Sequence, residues 1–76
     1  MPRITPIHWK KLVCVFKKAG FKFERQEGSH MIYSKPGIPR PVVIPKYNEI
    51  DVGLIKKNLK SACMTRDEYF SLLGEC

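Results

Sequence analysis

His30 is the residue of this chain best suited to chemistry, and it stands in the run Glu27-Gly28-Ser29-His30 between two stretches that read as strands. An imidazole, with an unperturbed pKa of about 6.5, gives and takes protons at neutral pH. A lone histidine is more often a plain strand residue, so its meaning depends on what surrounds it. Lys22, Arg25, Lys35, Arg40 and Lys46 are spread through the same part of the chain. Some of them could steady an anion as negative charge builds up on it, and each is otherwise an ordinary surface cation. Tyr33 and Tyr47 could stack on a nucleobase or lie in the core. His8, near the edge of an apolar helical arc, is a weaker candidate. Cys14, Cys63 and Cys76 show no Cys-x-x-Cys spacing, and no second cluster of His or Cys completes a metal site. The cysteines are expected to be reduced thiols, with no metal and no cofactor.

The composition says what such residues would act on. A chain of 76 residues is expected to form a single domain, 1–76, with a small core and no room for a deep, enclosed site. Any substrate is therefore expected to be large and to lie on an open face. Fourteen Lys and Arg against seven Asp and Glu give a net charge of +7, a surplus that draws polyanions through counterion release. Nucleic acid is the first partner to expect and an acidic protein the second. The opening residues lack a signal-peptide pattern, and nowhere do about eighteen apolar residues follow one another, so a cytoplasmic location away from membranes is expected.

The elements that would position His30 follow from patterning. Thr5-Pro6 reads as a helix start and Gly20 as its stop, with Trp9, Leu12, Val13, Phe16 and Ala19 on one arc and Lys10, Lys11, Lys17 and Lys18 opposite. Cys14 projects among those lysines. Residues 21–26 alternate as a half-buried strand, Glu27-Gly28 turns, and residues 29–34 return. Lys35-Pro36-Gly37-Ile38-Pro39-Arg40-Pro41 must be a loop, because its prolines cannot donate ladder hydrogen bonds. Val42-Val43-Ile44 is a third strand, closed by Pro45. A helix capped by Asp51 follows, with Val52, Ile55, Leu59 and Ala62 inward and Lys56, Lys57 and Lys60 outward. Thr65-Arg66-Asp67-Glu68 has the pattern of a capping box, with Met64 and Tyr69 as a staple, and opens a last helix expected to bury Phe70 and Leu73. The architecture is α+β: a three-stranded antiparallel sheet covered by helices on one face.

This small basic αβββα(α) order matches the double-stranded RNA-binding fold. With Gly28-Ser29-His30 at the second strand, Ala19-Gly20-Phe21 before it, Ile32-Tyr33, residues 42–45, Gly53-Leu54-Ile55 and the closing residues 65–73, it resembles the HicA (YcfA-like) toxin family over nearly the whole chain. The resemblance implies a type II toxin, a metal-independent endoribonuclease that cuts messenger RNA (an mRNA interferase) and is held inactive by a HicB-type antitoxin. It implies His30 as the catalytic residue, with Ser29, Lys22, Arg25, Lys35, Arg40, Lys46 and Tyr47 as candidate RNA contacts. Many family members carry a histidine just after the proline ending the third strand. Here the chain reads Pro45-Lys46-Tyr47, so no second catalytic histidine is implied at that point. A non-catalytic RNA-binding module of the same fold, or a basic domain that docks an acidic protein, remains an alternative. Nothing in the sequence sets the oligomeric state, and a monomer is the expectation.

Strand parity leaves the direction of His30 open. His30, Ile32 and Ser34 share one face, and Ser29, Met31 and Tyr33 share the other. If Ile32 packs under the helices, His30 points the same way.

Overall fold

The computed structural model describes residues 3–76. The order is α1 (Trp9–Lys18), β1 (Lys22–Glu27), β2 (His30–Ser34), β3 (Val42–Pro45), α2 (Val52–Ser61) and α3 (Arg66–Leu73). The strands form one open antiparallel sheet in the order β1-β2-β3, so the α+β reading holds.

Helix α1 starts later than Thr5-Pro6. Ile7 is taken by an antiparallel bridge to Ile50, whose N–H donates to the Ile7 carbonyl at 2.8 Å, and this keeps the preceding residues out of the helix. The cap is His8, whose Nδ1 accepts from the Lys10 N–H at 3.1 Å. At the other end Gly20 takes φ +101°, the Phe21 N–H reaches the Phe16 carbonyl at 2.9 Å and the Gly20 N–H reaches Lys17 at 3.0 Å. These are the two bonds of a Schellman motif, and the Phe16 and Phe21 rings meet edge to face at 5.3 Å, the apolar contact that accompanies it. Phe21 is therefore buried as part of a helix cap rather than as the first residue of a strand.

That removes the basis for a half-buried β1. All six of its residues are exposed, Phe23 at 52%, because β1 is the edge strand that the helices leave largely uncovered, whereas β3 at the other edge packs against α1 and α2. An irregularity between Phe23 and Arg25 resets the register. The hairpin that follows has Gly28 and Ser29 as its two loop residues, between the partners Glu27 and His30. Gly28 takes φ +60°, the left-handed value that glycine adopts without penalty.

Met31 and Tyr33 of β2 and Val42 and Ile44 of β3 meet Leu12, Val15 and Phe16 of α1, Ile55 and Leu59 of α2 and Tyr69 of α3 in one core. Asp51 caps α2 as expected, its Oδ2 accepting from Leu54 N–H at 3.1 Å. Thr65 caps α3, accepting from Glu68 N–H at 3.1 Å. Tyr69, rather than Phe70 or Leu73, is the fully buried residue of α3; the other two are half-buried against the same core.

The expectation of three reduced thiols is overturned. Cys14 on α1 and Cys76 near the end of the chain form a disulfide, leaving Cys63 as the free, exposed cysteine. Packing of α3 against α1 brings the two together, with Lys18 and Glu75 3.9 Å apart beside them. A separation of 62 residues carries no such signal in sequence.

Candidate active site

The parity question is decided by the core. Met31 and Tyr33 belong to it, so His30 and Ile32 lie on the opposite face of the sheet. Ile32 is buried there between its cross-strand partners Arg25 and Val43, outside the main core. His30, at the strand end between Glu27 and Pro45, is exposed.

Helix α2 lies along the free edge of β3 and turns this open face into a groove. Asn58, 5% exposed, donates from Nδ2 to the Val43 carbonyl at 2.9 Å, which supplies a partner to an edge strand. The hollow beside this bond, about 350 Å³, is lined by His30, Val43, Tyr47, Leu54, Lys57 and Ser61, among others. Pro45 and Leu54 give it apolar walls, Asn58 lies buried in its lining, and His30, Tyr47 and Lys57 are exposed polar residues at it.

The chain around the imidazole is pinned on both sides. The Ser29 carbonyl accepts from Lys46 N–H at 2.8 Å, which ties the hairpin turn to the end of β3. The Tyr47 carbonyl accepts from Trp9 N–H at 3.2 Å, and the Lys46 ammonium lies 5.5 Å from the centre of the Trp9 ring. Such a contact holds a cation in place without neutralising it. The Tyr47 ring stands edge-on to His30 at 6.5 Å and is 48% exposed. The imidazole and the Tyr47 phenol thus meet at one end of the sheet, while the Lys46 ammonium is held against Trp9 of α1 and does not line the hollow.

The candidates from sequence divide accordingly. His30 and Tyr47 meet at the groove, and Ser29 and Lys46 adjoin them through the backbone bond between the turn and β3. Arg25 is on the same face, but Glu27 accepts from its Nε at 2.8 Å and Glu24 from its Nη1 at 3.4 Å, so its charge is largely answered. Lys22 pairs with Ser34, four strand residues or about 13 Å from His30, and Lys35 lies at that end too, its ammonium 5.9 Å from the Phe21 ring. Arg40 borders a second hollow, about 510 Å³, with Lys57, Lys60, Ser61 and Cys63. Tyr33 is core, and burial raises its phenol pKa. His8 spends Nδ1 on the α1 cap.

Sequence reasoning missed Lys57 and Asn58 as groove residues. Helical periodicity marks Lys57 as outward and says nothing of which hollow it borders. Among the described residues no three His, Cys, Asp or Glu side chains group so as to hold a metal ion. No helix among them is long and apolar enough to cross a membrane.

These features define a small, basic α+β protein with one sheet face open and an exposed imidazole in a groove that also presents Lys57. Residues 9–64 match the family model for the HicA toxin of bacterial toxin-antitoxin systems, and the chain belongs to that family. The matched segment runs from the first residue of α1 to just past α2 and contains the whole groove. A search of curated proteins finds no match. Membership makes the chain a toxin-family protein and implies a cognate antitoxin.

Proposed function

We propose that this toxin is a metal-independent endoribonuclease that cuts messenger RNA in the cytoplasm, with His30 as the catalytic residue, and that a HicB-type antitoxin neutralises it. RNA carries its own nucleophile, since each 2′-hydroxyl lies beside the phosphate it can attack. In the reaction a proton leaves the 2′-oxygen, the 2′-oxygen bonds to phosphorus, and the bond to the 5′-oxygen breaks as that oxygen gains a proton. No net proton is consumed, and an imidazole can serve either half, a role typically worth about 10² to 10⁴ in rate. The observation that carries the reading is an exposed imidazole in a groove that also presents Tyr47 and Lys57. In this reading Lys57 meets the phosphate and Tyr47 stacks on a base, while Ser29 and Lys46, joined at the hairpin turn, contact RNA beside the groove. Lys22, Arg25, Lys35 and Arg40 would touch RNA only beyond the reacting nucleotide. An antitoxin needs only to cover this open face and set carboxylates against its cations.

Incubating the purified protein with a long transcript in chelator tests the reading directly. Cleavage is expected, and His30→Ala should abolish it while leaving the fold intact, since exposed substitutions usually change stability by less than about 0.5 kcal/mol. Binding of RNA without cleavage would identify a non-catalytic module instead.

A further inference from the structure

The cationic surface does not end at the groove. The hollow that holds His30 and the one that holds Arg40 share two lining residues, Lys57 and Ser61, and so lie next to one another along α2. Lys57, Lys60 and Arg40 face it, and among the described residues none of the three stands in an ion pair, whereas Arg25 and Lys18 do. Three unanswered cations on a concave strip call for an anion with evenly repeated charge. The strip adjoins the hollow of the imidazole and, at the His30 end, the exposed ring of Tyr47 and the apolar side chains of Val43 and Leu54, which suit unstacked bases.

We propose that single-stranded RNA leaves the groove past Lys57, crosses Ser61, and sets its following phosphates against Lys60 and Arg40. The RNA path then follows α2 and leaves the Lys22–Lys35 end of the hairpin uncovered. This rests on the ribonuclease reading above and adds the direction in which substrate extends. The same helix supplies its own control: Lys56, the adjacent lysine and also exposed, borders a separate hollow with Arg3, Ile4 and Arg66.

The test is fluorescence anisotropy with a mixed-sequence 2′-O-methyl RNA, which binds without offering a 2′-nucleophile, measured across a salt series. Lys57→Ala and Lys60→Ala should each weaken binding several-fold and lower the slope of log K against log salt by about 0.7, the value for one phosphate of a single strand. Lys56→Ala should change neither. Circular dichroism of each variant guards against misfolding, and alanine favours the helix in any case. If Lys57→Ala matches Lys56→Ala while the wild type cuts a transcript, the path is wrong and the ribonuclease reading stands. If Lys57→Ala loses only its affinity for an acidic partner protein, the strip is a protein interface and the path is again wrong. If the wild type neither binds nor cuts RNA, the ribonuclease reading fails first.

Discussion

Asn58→Ala should loosen the groove without touching the imidazole. Asn58 is the buried polar residue that joins α2 to the sheet, through one hydrogen bond of 2.9 Å to the Val43 carbonyl. Removing its donor leaves that carbonyl unpaired beside a groove that water can enter, so the cost should fall at about 1–2 kcal/mol, toward the lower part of the range for a broken buried bond. At about 2.1 cal/mol/K per residue, unfolding this domain gains about 0.16 kcal/mol/K, and the melting temperature should drop by about 6–12 °C. Asn58→Asp should cost more at neutral pH, because a carboxylate would face a carbonyl. Its carboxyl would be held above the ordinary value in the fold, so the relative stability of Asn58→Asp is highest below about pH 4 and lost as pH rises through the folded pKa. Thermal melts from pH 3 to 8 read all of this. RNA cleavage by Asn58→Ala at a temperature where it is folded should also fall, since Lys57 is the next residue on the same helix. A melting temperature for Asn58→Ala within about 2 °C of wild type would show that this bond does not hold α2 against β3.

Reducing the Cys14–Cys76 disulfide, which spans 62 residues, should cost about 2–4 kcal/mol, measured as a lower melting temperature in reductant. In protein kept under oxidising conditions only Cys63 should react with a thiol reagent, and three reactive thiols would refute the pairing. Cys63 sits at φ +56°, just past the end of α2, where the Met64 N–H bonds to Leu59 at 2.9 Å and the Cys63 N–H to Lys60 at 3.2 Å. This is the motif in which Gly20 closes α1, so Cys63→Gly should stabilise by about 0.5–1 kcal/mol, and any loss in a chemical-denaturation series would contradict it. Tyr69 is fully buried and its hydroxyl has no hydrogen-bond partner among the described residues, so Tyr69→Phe should gain about 1 kcal/mol. Burial raises the Tyr69 phenol above its ordinary value of 10.0, so the unfolded chain ionises first and wild-type stability should fall as pH rises past about 10. Tyr69→Phe should weaken that alkaline dependence, and equal slopes for the two proteins would refute it.

Local chemistry made much of this fold legible from residues alone. Gly28 between alternating runs marks the hairpin, the prolines of residues 36–41 mark the loop, and Asp51 and Thr65 cap the helices that they were expected to cap. Each of these signals acts over a few residues, which is why sequence order carries it. The errors have the opposite character. Thr5-Pro6 satisfies every local rule for a helix start and is overruled by a bridge between Ile7 and Ile50, and Phe21 fits strand alternation but is claimed by the end of α1.

By itself, then, the sequence determined the number and order of the elements, the hairpin that carries His30 and the positive charge that favours a polyanion. Only the tertiary structure decided which face the imidazole takes, since period-two alternation is symmetric until a core selects Met31 and Tyr33. It also decided that α2 flanks β3 to make a groove with Lys57 in it, and that Cys14 meets Cys76. Those outcomes depend on contacts between residues far apart in the chain, whose partners are chosen by packing and leave no mark on local pattern.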